Sequence, residues 1–130
     1  MKKLYEDLLC EMPIGWQNAF GMDLCIDVEN ALKKDDLYDT ACVLQVKEKF
    51  GSLAIYITPT SEAVDAVLNK YARLSKRTCI RCGAPATRVT LGWITPVCDE
   101  CIAKDKRIQH DTVPIGEFWT DIARENMRGG

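Results

Sequence analysis

Two pairs of cysteines constrain this chain more than any other feature. Cys79-Ile-Arg-Cys82-Gly83 and Cys98-Asp-Glu-Cys101 are each a C-x-x-C unit, and fifteen residues separate them. Each unit presents two sulfur atoms from one tight turn, and two such turns at this separation are a strong signature of tetrahedral zinc. Redox dithiols or buried unmetallated thiols are the competing reading, and they account less well for the repeated spacing. Cys79, Cys82, Cys98 and Cys101 are therefore expected to hold one Zn²⁺. Four thiolates fill its coordination shell and leave no position for water or substrate, so the ion is expected to be structural.

The rest of the cysteine inventory agrees. Seven cysteines in 130 residues would suggest disulfides in an exported protein, but the number is odd. The opening Met1-Lys-Lys-Leu-Tyr-Glu-Asp-Leu-Leu places acidic residues where a signal peptide needs an apolar run. No apolar stretch approaches the roughly 20 residues needed to cross a bilayer. A cytoplasmic protein without membrane contact is the expectation. Cys10, Cys25 and Cys42 fall on apolar faces of expected elements and read as small core residues.

Hydrophobic periodicity divides the chain in two. Leu4, Tyr5, Leu8, Leu9 and Met12 have helical spacing, and Pro13 closes that segment. Trp16, Phe20, Leu24, Val28 and Leu32 recur every four residues over a second helix, weakened at Gly21. From Ala41 to Thr58 the period becomes two. Cys42, Leu44 and Val46 are expected on one face of a hairpin, Val43, Gln45 and Lys47 on the other, with Gly51 in the turn. Pro59 ends the hairpin, and Ser61 caps a helix whose apolar positions are Val64, Val67, Leu68, Tyr71 and Leu74.

The second part follows without a flexible linker. Thr87–Thr90 and Trp93–Val97 suggest a short hairpin between the cysteine pairs, and Ile102–Gln109 a helix, so the order of turn, hairpin and helix resembles a treble-clef zinc finger. His110–Pro114 reads as a connection, and Gly116–Met127 as a last helix. The expected class is α+β: helices with a β-hairpin over residues 1–77, then a four-cysteine zinc module with a C-terminal helix over residues 78–130, packed as one unit.

Catalytic motifs are missing from the sequence. There is no phosphate-binding glycine loop, nucleophile elbow or paired-carboxylate motif, and the single histidine, His110, reads as a loop residue. A deaminase would need an open metal position with a glutamate in the appropriate motif. The expectation is a protein that is not an enzyme.

Charge is divided unevenly. Residues 1–66 carry 6 basic and 12 acidic side chains, and residues 67–130 carry 11 and 7. Lys70, Arg73, Lys76, Arg77, Arg81 and Arg88 fall in a stretch without acidic residues, and such a strip can neutralise phosphates. It can equally balance the net charge of −2 that four thiolates leave around Zn²⁺. The acidic balance of the whole chain favours the second reading over general affinity for DNA.

Gly15-Trp16, the run Val46-Lys-Glu-Lys-Phe-Gly-Ser-Leu53, Cys79-x-x-Cys82-Gly83, and Gly92-Trp93-Ile94 before Cys98-x-x-Cys101 together resemble small uncharacterised proteins encoded by bacteriophages and prophages. The resemblance spans residues 14–101. Members of that family usually carry a basic residue after the run, where this chain has Ala54. The resemblance implies an accessory role in the bacterial cytoplasm: binding and inhibiting a host protein, antiphage defence components included. A zinc-dependent nucleic-acid-binding accessory factor is the alternative.

Overall fold

A computed structural model describes residues 3–119, and the expected helix over 116–127 lies largely outside them. Helix α1 (Leu4–Leu9) leads through Pro13 into the single turn α2 (Ile14–Trp16). A five-residue π-helical turn, Gln17–Gly21, then joins it to α3 (Met22–Lys34). The weak point expected at Gly21 is thus a change of helical pitch with no break. The wider turn has a local use. Gln17 Nε2 donates to the carbonyls of Leu9 and Met12 at 2.9 and 2.7 Å, satisfying acceptors that α1 leaves behind at its end. The row Trp16, Phe20, Leu24, Val28 and Leu32, spaced four residues apart, is buried throughout, joined by Leu4 and Leu8.

Strands β1 (Cys42–Lys49) and β2 (Ser52–Thr58) pair antiparallel. Phe50 and Gly51 link them with φ of 51° and 82°, the sign pattern of a type I′ turn, which matches strand twist. One expectation fails here. A bulge between Val43 and Gln45 inserts Leu44 as an extra residue, so Val43 and Val46 face the core together while Leu44 is exposed. Period-two reasoning cannot foresee such a slip, because one added residue reverses every later side chain. For the same reason Cys42 is exposed and not a core residue; Cys10, just past the end of α1, is also exposed, and of these three cysteines Cys25 alone is buried.

Ser61 caps α4 (Glu62–Ser75), accepting from Val64 N. Val64 and Tyr71 are buried as expected, but Leu74 is exposed and Ser75 takes the inward position. Ser75 Oγ accepts from Leu53 N at 2.8 Å and donates to Ala72 O at 2.6 Å, which ties α4 to β2 through a polar atom. Ser75→Ala should strand the buried Leu53 N–H and cost about 1–3 kcal/mol. Chemical denaturation of the two proteins measures this, and an unchanged midpoint would refute the assignment.

The second sheet has the order β4-β3-β5, built from β3 (Arg88–Thr90), β4 (Thr95–Val97) and β5 (Thr112–Pro114). The expected connection at His110–Pro114 therefore contains a strand. Its prolines are placed as proline requires: Pro96 and Pro114 lie on the edge strands, and the central β3 has none. Helix α5 (Asp99–Ala103) is shorter than the expected Ile102–Gln109 segment. Asp105 stops it, because its carboxylate turns to Arg107 N and to the guanidinium groups of Arg81 and Arg107. A short helix α6 (Ile115–Phe118) follows β5. The class is α+β, with two small sheets, helices and the four-cysteine cluster. No helix among the described residues is long and apolar enough to cross a membrane.

Candidate metal centre

The first cysteine pair is shaped by backbone bonds before any metal enters. Cys79 N donates to Ala84 O, Gly83 N to Cys79 O and Ala84 N to Cys82 Sγ, so the chain from Cys79 to Ala84 closes on itself. Ile80 N reaches Pro96 O at 3.0 Å and Thr87 N reaches Val97 O at 2.9 Å, which draws β4 and the second pair alongside. Cys98 is the N-cap of α5, and its Sγ accepts from Cys101 N. Turn, hairpin and helix thus follow in the treble-clef order.

Cys79, Cys82, Cys98 and Cys101 offer sulfur atoms that all lie within 4.8 Å of one another, and Cys82 Sγ stands 3.6 Å from Cys98 Sγ. Four sulfurs at about 2.3 Å from a tetrahedral ion would stand about 3.8 Å apart. The cluster has the dimensions to hold a metal ion. Cys79 and Cys98 are buried, Cys101 is half-buried and Cys82 is exposed at one edge.

Electrostatics point the same way. Burial opposes ionisation of Cys79, but the backbone N–H groups of Arg81, Cys82 and Cys98 overcome it and hold that thiol at about 7. Burial and the neighbouring sulfurs of Cys98, Cys82 and Cys79 push Cys101 far above the ordinary thiol value. At Cys82 the Ala84 N–H favours the thiolate, yet partial desolvation by its neighbours and the sulfurs of Cys98 and Cys79 outweigh it. Four sulfurs this close cannot all ionise by themselves, and a divalent cation is the charge that would let them.

The centre also joins the two parts of the chain. Trp16 Nε1 donates to Thr78 O at 3.0 Å, and Gly15 N to Ile80 O at 3.0 Å. Gly15 is in such close contact with the Cys79 and Ile80 carbonyls that no side chain fits there. Gly83, with φ of 94°, meets Gly15 from the other side.

The six basic residues do not form one strip. Lys70, Arg73 and Leu74 of α4 line a shallow cleft with Arg77 just beyond its end, and Lys70 also pairs with Asp27 at 3.6 Å. Lys76 lies over the Trp119 ring. Arg81 is bound to Asp105 at 2.8 Å, and Arg88 donates to the Oγ1 and carbonyl oxygen of Thr112. The two guanidinium groups, Arg107's first, hold the Asp105 carboxyl well below the usual carboxylate range. His110 is exposed in a turn, as expected of a loop residue.

Sequence reasoning missed one cluster. The turn at Phe50-Gly51 and the loop at Gly92-Trp93 meet at the tips of the two hairpins, and Trp93 Nε1 donates to Glu48 Oε2 at 3.2 Å. Glu48 Oε1 accepts from Gly51 N. Both segments are among those that carry the resemblance, which was the only signal available. No protein-family model, curated protein or solved structure matches the chain.

Proposed function

We propose that this chain is a zinc-stapled, non-enzymatic binding protein, a phage or prophage accessory factor that occupies and inhibits a host protein in the bacterial cytoplasm. The observation that carries the binding reading is Trp93. Its side chain is 76% exposed, yet its one polar atom is engaged by a carboxylate from the other hairpin. A large aromatic ring held in water at a fixed position is the kind of group that anchors protein interfaces. The closed four-sulfur shell supports a structural ion, since a catalytic zinc keeps a position open. The motif resemblance supports the phage origin and the host target.

A second reading has one observation in its favour, the cleft shared by Lys70, Arg73 and Arg77. If it grips phosphates, binding to duplex DNA should weaken with salt at a log–log slope of about 0.9 per contact. Affinity capture from bacterial lysate with and without nuclease, paired with direct DNA titration, separates the two readings. The expected result is a protein partner retained after nuclease and no DNA binding at physiological salt. Tight, salt-steep binding to DNA would replace the first reading with the second.

Zinc also makes the protein acid-sensitive. A bound Zn²⁺ lowers the folded-state thiol pKa values below their unfolded value of about 8.5. The resulting stability is complete above that value and is lost as pH falls through the depressed ones. An acid titration followed by a zinc-sensitive dye and by circular dichroism should show release and unfolding together. Release with an intact second sheet would mean the ion is not structural.

A further inference from the structure

The two hairpin tips enclose a cleft of about 380 Å³ lined by Lys47, Glu48, Lys49, Phe50, Trp93 and Ile94. Phe50 and Trp93 are 71% and 76% exposed, the two most exposed large apolar side chains among the described residues. Phe50 occupies the left-handed region at φ 51°, which is costly for a bulky residue, and Trp93 is tethered to Glu48. The cleft thus carries one aromatic ring tethered before any partner arrives and a second on a backbone held by a tight turn, and preorganisation of this kind lowers the cost of binding.

Charge selects the occupant. Glu48 has both oxygens engaged, one by Gly51 N–H and one by the indole. Lys47 and Lys49 line the same cleft and form no ion pair among the described residues; Lys47 lies over the Tyr56 ring. They alternate with Glu48 along β1, so their Cα atoms are about 6.6 Å apart on one face of the strand. Carboxylates at positions i and i+2 of an extended peptide have the same separation, and the intervening residue of such a peptide projects to its other side. The apolar rings beside the lysines favour a peptide, whose intervening side chain they can take up, over a phosphodiester strand.

We infer that the Phe50–Trp93 cleft is the recognition surface of this protein, and that it takes an extended acidic segment of a partner protein: an apolar side chain between the rings, flanked by carboxylates on Lys47 and Lys49. This rests on the protein-binding reading above and gives it a location and a ligand chemistry.

The test uses the zinc-loaded full chain and labelled octapeptides with the core Glu-Leu-Glu, Lys-Leu-Lys or Glu-Gly-Glu, with a twelve-residue oligothymidylate alongside. Amide and indole NMR shifts report the site. The Glu-Leu-Glu peptide should move the Trp93 indole and the Phe50 and Gly92 amides, and bind at least tenfold more tightly than either control peptide. Trp93→Ala and Lys49→Glu should each weaken it at least tenfold with zinc content and circular dichroism unchanged. Shifts confined to other surfaces, equal binding of the three peptides, or displacement of the same signals by oligothymidylate would overturn the inference. Lysate capture separates the two levels of the argument: a nuclease-resistant partner held equally by the original and Trp93→Ala proteins sinks this cleft and leaves the protein-binding reading standing. Absence of any such partner sinks both.

Discussion

Cys79→Ser protein purified under reducing conditions should contain no zinc, against one ion per chain in the unsubstituted protein, and at least residues 78–119 should be unfolded. Cys79 is fully buried, and its sulfur lies within 4.8 Å of the other three. A serine hydroxyl is a poor substitute for a thiolate in this shell. Structural zinc contributes an apparent 10–16 kcal/mol or so to small domains at neutral pH, as much as the whole stability of a typical one. The Trp16 and Gly15 bonds to Thr78 and Ile80 then lose their partners, so the damage should extend into the first helices. Cys10→Ser, at an exposed position remote from the cluster, should keep both metal and fold. Metal analysis with circular dichroism decides the matter, and a fully folded, metal-free Cys79→Ser protein would defeat the proposal.

Adding one methyl group at Gly15 should be nearly as informative. An alanine there would drive its Cβ into the carbonyl groups of Cys79 and Ile80. Those are backbone atoms, fixed by the bonds Gly15 N to Ile80 O and Gly83 N to Cys79 O, so no side-chain rotation can make room. Gly15→Ala should cost about 3 kcal/mol, the upper end of the range for overpacking, and lower Tm by about 10 °C. Zinc should also leave faster, because the turn that carries Cys79 and Cys82 must shift. Gly116→Ala is the control: a Cβ there meets nothing within 4 Å, and stability should stay within about 0.5 kcal/mol. Equal melting temperatures for the two variants would show that the contact is not tight.

The metal centre was the most legible part of the sequence, because ligand spacing is a local property. A C-x-x-C turn needs only its own backbone to present two sulfurs, and the interval between the pairs is just long enough for β3 and β4. Helix α4 was equally plain, since Ser61 and the apolar stripe lie within one element. What escaped were features decided by distant partners. The strand β5 has three residues and forms only because Thr112–Pro114 finds the open side of β3. Leu74 yields its expected inward place to Ser75 because Leu53 N needs an acceptor 22 residues away in sequence. The bulge at Leu44 is set by the fit of β1 to β2 and to the core beneath. The Glu48–Trp93 bond spans 45 residues, and no periodicity can announce it.

The indole of Trp16 is buried deep in the first part of the molecule, but its hydrogen-bond acceptor, the Thr78 carbonyl, comes 62 residues later. On a ribosome adding about 5–20 residues per second, that interval is about 3–12 s. Throughout it the emerging helices hold a polar N–H with no native partner and an apolar row with an incomplete cover. The second cysteine pair then arrives about 1–4 s after Thr78. Order of synthesis therefore makes closure of the four-cysteine cluster a late event, and the Trp16 indole of a nascent chain meets its native acceptor only once Thr78 has been made.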